Sequence, residues 1–436
     1  MAVRVELVQT GTELLTGARL NLHAQWLSER LTSMGYEVVR QTVVADAAGA
    51  ICEAVAGALG RVRLVVVTGG LGPTSDDRTR EEIAQLLGRR LVEDTQVLRR
   101  LEAFYAARNR VMPERARVQA LVPEGAVVLE NRWGTAPGLA LEVSPEVRAG
   151  LGEGKGPVRA EGTGWLVLLP GPTREMRPMF EERVVPLLAK VLPVEEEWAS
   201  VVLRTVGLPE SVVEARVTAV LEGGGGSGVE VGYCAHAGEV DVRLVARGPG
   251  ARERVGRAEH RVRLELGQAV YGAGEVTLEA VVLEMLRARA ETVAVAESCT
   301  GGCVAHRLTN VPGASASFVA GWVTYSNESK VRGLGVTPAA LAAHGAVSAE
   351  VAKQMAEGAR RMAGSTHGLA ITGIAGPTGG SAEKPVGTVF LAYAGPGGTE
   401  VERRFHPIDR VSFKEVTATY ALDLLRRALL RGAGTD

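Results

Sequence analysis

Val293-Ala294-Val295-Ala296-Glu297-Ser298-Cys299-Thr300-Gly301-Gly302-Cys303-Val304-Ala305-His306-Arg307-Leu308 carries three local signals in sixteen residues. The apolar run 293–296 has the length and branching of a buried strand. Gly301 and Gly302 supply a tight turn. From Cys303 onward the pattern is helical. A strand that feeds a helix through a short turn is the repeating unit of α/β folds. The same turn sets the Ser298 hydroxyl beside the N–H groups of a helix N-terminus, where an oxyanion or phosphate is stabilised. A serine in such a turn is, on its own, an ordinary helix cap.

Two further elements direct the reading towards chemistry. Twenty-seven residues after Ser298 stands Tyr325, opening Tyr325-Ser326-Asn327-Glu328-Ser329-Lys330. Serine and lysine together form a nucleophile–base pair that needs no histidine. For Lys330 to act as the base, burial or a neighbouring cation must lower its pKa by several units. A second glycine-rich element, Ile371-Thr372-Gly373-Ile374-Ala375-Gly376-Pro377, ends another apolar strand and runs on to Val389. Its glycines let backbone approach a ligand closely. The pattern predicts an amide or ester hydrolase with no metal at that site.

The N-terminal half repeats the theme. Residues 3–8 read as a strand that ends in Gln9-Thr10-Gly11-Thr12-Glu13. An amphipathic helix is expected over 22–34, a strand over 37–40 and an almost wholly apolar strand over 61–68. The last runs into Gly69-Gly70-Leu71-Gly72-Pro73-Thr74-Ser75-Asp76-Asp77-Arg78. Apolar strands alternating with helices imply a parallel sheet covered on both faces, with ligands at the C-terminal strand ends. Gly69, Gly70, Gly72 and Thr74 read as a phosphate-holding loop. Glu13, Asp46, Asp76 and Asp77 read as carboxylates for Mg²⁺ or a similar hard ion, the arrangement of a pyrophosphatase. The plainer reading makes Asp76 and Asp77 caps for a helix starting at residue 78.

Composition narrows the classes. The chain has 436 residues, a net charge of −1, 46% hydrophobic and 4% aromatic residues. There is no basic excess for nucleic acid, and little material for base stacking. No apolar run approaches the roughly 20 residues of a membrane span. The first residues read as a strand rather than a signal peptide. The scattered Cys52, Cys234, Cys299 and Cys303 do not suggest a disulfide framework, so the cytoplasm is the expected compartment. Three domains are expected: 1–198, 199–272 and 273–436. Glycine-rich stretches at 149–157 and 223–228 are expected as flexible loops. The middle module reads as a small α+β unit with helices over 209–221 and 251–266. It lacks a basic GxxG loop, so a spacer and dimer arm is favoured over nucleic-acid binding. Arg403, Arg404 and Arg410 are candidates for holding a substrate phosphate.

The motifs AESCTGG at 296–302, VTYSNESK at 323–330, HGAVS at 344–348 and TGIAGPTGGSAEKPVGTV at 372–389 occur in order. Together they resemble the nicotinamide-nucleotide amidase domain of the competence/damage-inducible CinA family, over residues 275–430. The resemblance implies hydrolysis of the carboxamide of nicotinamide mononucleotide to the acid and ammonia. It implies Ser298 as nucleophile, Lys330 as base, Tyr325 as a hydrogen-bonding assistant, and Thr300, Gly301, Gly302, Thr372, Gly373, Ala375 and Gly376 around the substrate. It implies no cofactor there. GTELLTG, AQWLSERL, TGGLGPTSDDRTR, GTAPG and PGPTREMRPM resemble the family's molybdopterin-binding-like domain, and the middle module resembles its KH-like domain. The first implies a metal-dependent ADP-ribose pyrophosphatase. Where the family usually has Asp-Thr-Asn, this chain has Asn21-Leu22-His23. The family also implies a homodimer and a link to the recombinase RecA. Two alternatives go with it: a nucleotide-binding scaffold in competence or DNA damage, or a molybdopterin-binding protein.

Overall fold

The computed structural model describes residues 3–152, 162–223 and 226–432. The chain forms two compact units, Met1–Glu197 and Trp198–Asp436.

The first unit is built on a six-stranded sheet. Its order is Glu37–Val44, Arg4–Thr10, Leu64–Thr68, Gly164–Leu169, Gly138–Val143, Val127–Leu129. The first four strands are parallel and the last two run antiparallel to their neighbours. Leu64–Thr68 and Gly164–Leu169 are buried along their whole length, as central strands covered on both faces must be. Alternation splits them between two cores. Leu64 and Val66 pack with Leu27, Leu31, Met176 and Phe180, whereas Val65 and Val67 pack with Ile51, Val55, Leu59 and Ile83.

The strand expected from residue 61 starts later, at Leu64, because the helix Ala50–Arg61 ends at Arg61. Its guanidinium donates to both oxygens of buried Glu6, each at 2.7 Å. The backbone turns extended only at Val62. The expected loop at 149–157 begins as the end of the helix Pro145–Gly152, and its later part lies outside the described residues. So do residues 224 and 225 of the second glycine stretch.

The helix Leu22–Ser33 starts at Asn21, whose Oδ1 accepts from the Ala24 N–H at 3.1 Å and whose Nδ2 donates to Gln9 Oε1 at 3.2 Å. Asparagine caps a helix about as well as aspartate, so the departure at this position keeps the cap. Asn21→Ala is expected to cost about 1 kcal/mol, measured as a lowered urea midpoint of the first unit's transition. An unchanged midpoint would remove the cap from the account.

The second unit holds two sheets. A four-stranded antiparallel sheet has the order Glu230–Ala235, Glu239–Arg247, Trp198–Val206, Val270–Ala273. The helices Glu210–Glu222 and Ala251–Leu266 bury Val213, Val217, Val255 and Val262 against its Leu203, Val242 and Leu244. This is the KH-like module. A five-stranded sheet follows, in the order Phe318–Val323, Val293–Glu297, His367–Gly373, Thr388–Gly395, Gly398–Phe405. Its first three strands are parallel and its last two antiparallel. The helix Ala349–Ala363 covers one face, against Ala294, Ala296, Ala370 and Ala392. The helices Leu278–Ala288 and Arg410–Gly432 cover the other, against Val293, Val295, Leu369 and Ile371. The whole is mixed α/β, as its alternating elements predict. Among the described residues no helix is long and apolar enough to cross a membrane.

Candidate functional site

Ser298 sits just past the C-terminal end of Val293–Glu297, and its N–H extends the sheet by donating to Ile371 O at 3.0 Å. Gly301 and Gly302 follow at φ +62° and +95°, conformations that favour glycine, and the helix Cys303–Thr309 begins there. Lys330 comes from the helix Asn327–Leu334, capped by Ser326 Oγ, which accepts from the Ser329 N–H at 3.1 Å. One turn in, Lys330 turns inward. Its Nζ lies 3.1 Å from Ser298 Oγ and donates to Thr324 O at 2.7 Å. The two elements named for a nucleophile and a base are therefore brought into hydrogen-bond contact.

Lys330 is 1% exposed, and among the described residues it forms no ion pair. Two neutral oxygens are the only hydrogen-bond partners of its Nζ there. An ammonium so buried is costly, and desolvation lowers its pKa from the ordinary lysine value. The direction is the one a general base requires.

The helix N-terminus behaves differently from expectation. Its N–H groups are engaged by Glu297, which is 1% exposed. Glu297 Oε2 accepts from Gly302 at 3.1 Å and Val304 at 3.2 Å, and Oε1 accepts from Ala305 at 2.9 Å. The carboxylate holds the place expected for an oxyanion or phosphate. Tyr325, implied as a hydrogen-bonding assistant, makes no hydrogen bond to Ser298 or Lys330 among the described residues. It is 63% exposed, and its hydroxyl accepts from Arg410 Nη2 at 2.9 Å. Arg410 Nη1 donates to Gly376 O at 2.8 Å, which ties that glycine loop to Tyr325. Thr300 is fully buried, and its hydroxyl has no partner among the described residues. Thr372 Oγ1 donates to Ala346 O at 2.8 Å, Gly373 ends its strand, and Ala375 is buried. A cavity of about 930 Å³ lies at the opposite end of this sheet, lined by Arg289, Glu291, His367 and Tyr393 and not by the Ser–Lys pair.

In the first unit, Glu13, Asp46, Gly69, Gly70, Gly72, Asp76 and Asp77 all line one cavity of about 750 Å³ at the C-terminal strand ends. The loop is less open to phosphate than its glycines suggest. The Gly69 N–H donates to Leu169 O at 3.0 Å; those of Gly70 and Gly72 make no hydrogen bond among the described residues. Thr74 turns inward on its own loop, giving its N–H and hydroxyl to Asp77 Oδ2 at 3.0 and 2.6 Å. Asp76 and Asp77 therefore do not cap the helix, which starts at Thr79 with no side-chain cap. Asp46 accepts from the Thr12 N–H at 2.9 Å and its hydroxyl at 3.3 Å.

The four carboxylates do not gather into a cage. Among the described residues no group of three or more His, Cys, Asp or Glu is placed to hold a metal ion. Thr12 engages Asp46 and Thr74 engages Asp77, a hydrogen bond with Thr74 also holds the Asp76 carboxyl below its ordinary range, and Glu13 and Asp76 are exposed at the rim. That set suits a Mg²⁺-like ion only in its usual manner, with one or two carboxylates and the rest of its shell from phosphate and water.

Three cavity residues lie outside the motif reading of the loops. Glu175 accepts from Asn131 Nδ2 at 2.8 Å, and Gln119 is 1% exposed with both amide ends unpartnered among the described residues. His23 Nε2 shares a 3.1 Å hydrogen bond with Thr173 Oγ1, and burial, followed by Arg19 and Arg177, lowers its pKa. Glu175 has a sequence signal as the acidic residue in the first turn of Thr173–Met179 and His23 as part of the departing Asn21-Leu22-His23 triplet, whereas Gln119 has none.

Comparison with known proteins places these features in a family. The model of the CinA C-terminal domain matches residues 275–429, that of a probable molybdopterin binding domain matches 6–190, and that of the damage-inducible protein CinA KH domain matches 200–272. The chain is 41% identical to a putative competence-damage inducible protein of Caldicellulosiruptor saccharolyticus over 429 residues, covering 98% of this chain and 99% of that one. It is 43% identical to a CinA-like protein of an Anaeromyxobacter species over 429 residues, covering 98% and 100%. Among solved structures it is similar to the competence/damage inducible protein CihA of Agrobacterium tumefaciens, at 41% identity and TM-score 0.34, covering 35% of this chain and 93% of that one. The chain belongs to the CinA family of competence/damage-inducible proteins.

Proposed function

We propose that the C-terminal domain is a Ser–Lys amidase that hydrolyses the carboxamide of nicotinamide mononucleotide. The observation that carries this is the buried contact of 3.1 Å between Ser298 Oγ and a Lys330 Nζ with no counter-ion among the described residues. Neutral Lys330 takes the Ser298 proton as Oγ attacks the carboxamide carbon. The protonated Nζ then returns that proton to the departing nitrogen, which leaves as ammonia. The acyl group stays on Oγ as an ester. Water attacks the ester with Lys330 again as base, and the acid leaves. Thr324 O, accepting from Nζ, fixes the lysine's rotamer through both steps.

The test is ammonia release from nicotinamide mononucleotide by the full chain with EDTA present. Release that persists in EDTA is expected. Release that EDTA abolishes would sink the Ser–Lys scheme.

The cavity of the first unit supports binding of a pyrophosphate ligand such as ADP-ribose, through the Gly70 and Gly72 N–H groups and the rim carboxylates. Glu13 and Asp76 would hold the metal, which would neutralise the phosphates and polarise a water. Saturable ADP-ribose binding that Gly72→Val abolishes is expected by calorimetry. Added at Gly72, a Cβ would fall 2.3 Å from Asp77 Oδ2, inside the loop. Wild-type binding of a pterin in preference to ADP-ribose would favour the molybdopterin alternative instead.

A further inference from the structure

The amidase reading leaves open what separates a nucleotide from free nicotinamide or its nucleoside. A phosphomonoester must be met by cations near Ser298. Arg403 Nη2 donates to Glu383 O at 3.2 Å, and Arg404 is paired with Glu402 at 2.7 Å while stacking over Tyr420. Neither is presented to the Ser298 turn by these contacts.

Arg410 and Lys414 stand one turn apart at the start of the helix Arg410–Gly432, and so share a face. Arg410 donates only to neutral oxygens, Gly376 O and Tyr325 Oη, and forms no ion pair among the described residues. Lys414 is half-buried, and among those residues it has neither a hydrogen bond nor an ion pair. Its Nζ lies 3.7 Å from where a Cβ on Gly301 would stand. The Gly301 N–H in turn donates to Ser298 O at 3.2 Å, so the ammonium lies against the turn that carries the nucleophile. The one buried carboxylate of this turn, Glu297, is held by three backbone N–H groups and not by Lys414. Lys414 thus lies uncompensated against the Ser298 turn, and Arg410 stands one turn before it, at Gly376 and Tyr325.

We propose that Lys414, with Arg410 one turn before it, is the anchor for the substrate's phosphate and makes the Ser298 site selective for a ribonucleotide monophosphate over the nucleoside. The proposal rests on the amidase reading for its substrate and on the two cations for its chemistry. Arg410 serves doubly, since it also holds Gly376 and Tyr325. Lys414 has no structural partner to lose, so it is the residue to change. Lys414→Met keeps the aliphatic stem and removes the charge.

Two measurements on the full chain test this separately. In calorimetry with ribose 5-phosphate and with ribose as probes, the wild type is expected to bind only the phosphate. Lys414→Met is expected to weaken that binding roughly ten- to hundredfold, as for loss of one charge-assisted contact. In ammonia-release kinetics, Lys414→Met is expected to raise KM for nicotinamide mononucleotide by a similar factor with kcat largely kept, and so to lower the preference for the nucleotide over nicotinamide riboside. A merely structural role would move both substrates together, and that outcome overturns the proposal. Equal binding of ribose 5-phosphate by wild type and variant also overturns it. If the wild type releases no ammonia yet its ribose 5-phosphate binding falls in the variant, the amidase reading fails and the anchor stands for another nucleotide.

Discussion

Lys330→Met is expected to lower ammonia release from nicotinamide mononucleotide by roughly a thousandfold or more, in a protein that remains folded. Ser298→Ala should lose as much, and the double variant little more, because the two act as one unit. The wild-type rate should rise with pH as Lys330 loses its proton, along a limb centred below the ordinary lysine value, since burial lowers the pKa. Between the lowered folded value and the ordinary unfolded one, the unfolded chain binds more protons, so stability rises with pH there. Below the folded value both states are charged and the whole cost of burying the ammonium is present. Methionine removes that cost but leaves Thr324 O without its donor. The two terms oppose each other, so a thermal midpoint near that of wild type is expected at neutral pH. Steady-state kinetics across pH, with melting curves of the same samples, would check both halves. A Lys330→Met protein that keeps more than a tenth of the activity would end the Ser–Lys account. One that fails to fold would make Lys330 a structural residue.

Much of this architecture is local and therefore legible. The helix Ala251–Leu266 begins and ends where its apolar period does, and Gly301 and Gly302 mark a turn that needs positive φ. The Ser298–Lys330 pair is readable as chemistry because Ser298 lies in the turn after its strand and Lys330 in the helix that follows the neighbouring parallel strand. What the sequence hid is tertiary. Nothing around Lys414 announces that a helix starting more than a hundred residues after Ser298 leans its cation on Gly301. Tyr325 has a role only through the family resemblance, and its exposed hydroxyl meets the donor that the fold supplies, Arg410. Asp46 and Asp77 look like metal ligands by type and loop position. Local threonine donors reach them first, as short polar side chains in turns commonly do.

Glu297 is the clearest case of a role that no local pattern states, and its removal should have the second large effect. A capping acid ordinarily lies inside the first turn of the helix it serves. Glu297 lies before the turn, as the last residue of its strand, and reaches forward to Gly302, Val304 and Ala305. With 1% exposure and no ion pair among the described residues, its charge is stabilised by those N–H groups and by the positive end of the helix. Glu297→Ala would leave three N–H groups without an acceptor in a dry site, at about 1–3 kcal/mol each. Water entering the space vacated offsets part of that. A net loss of roughly 3–6 kcal/mol follows, concentrated in the turn that holds Ser298. Glu297→Gln keeps one acceptor oxygen but turns an amide donor towards another N–H, so it should fall between wild type and alanine. Hydrogen exchange of the peptide spanning 298–309 reads this locally. Protection in the alanine variant should drop by a factor of a hundred or more, with loss of ammonia release although Ser298 and Lys330 are both present. If that peptide stays as protected as in wild type, the carboxylate does not hold the turn, and the helix N-terminus is again open to an oxyanion.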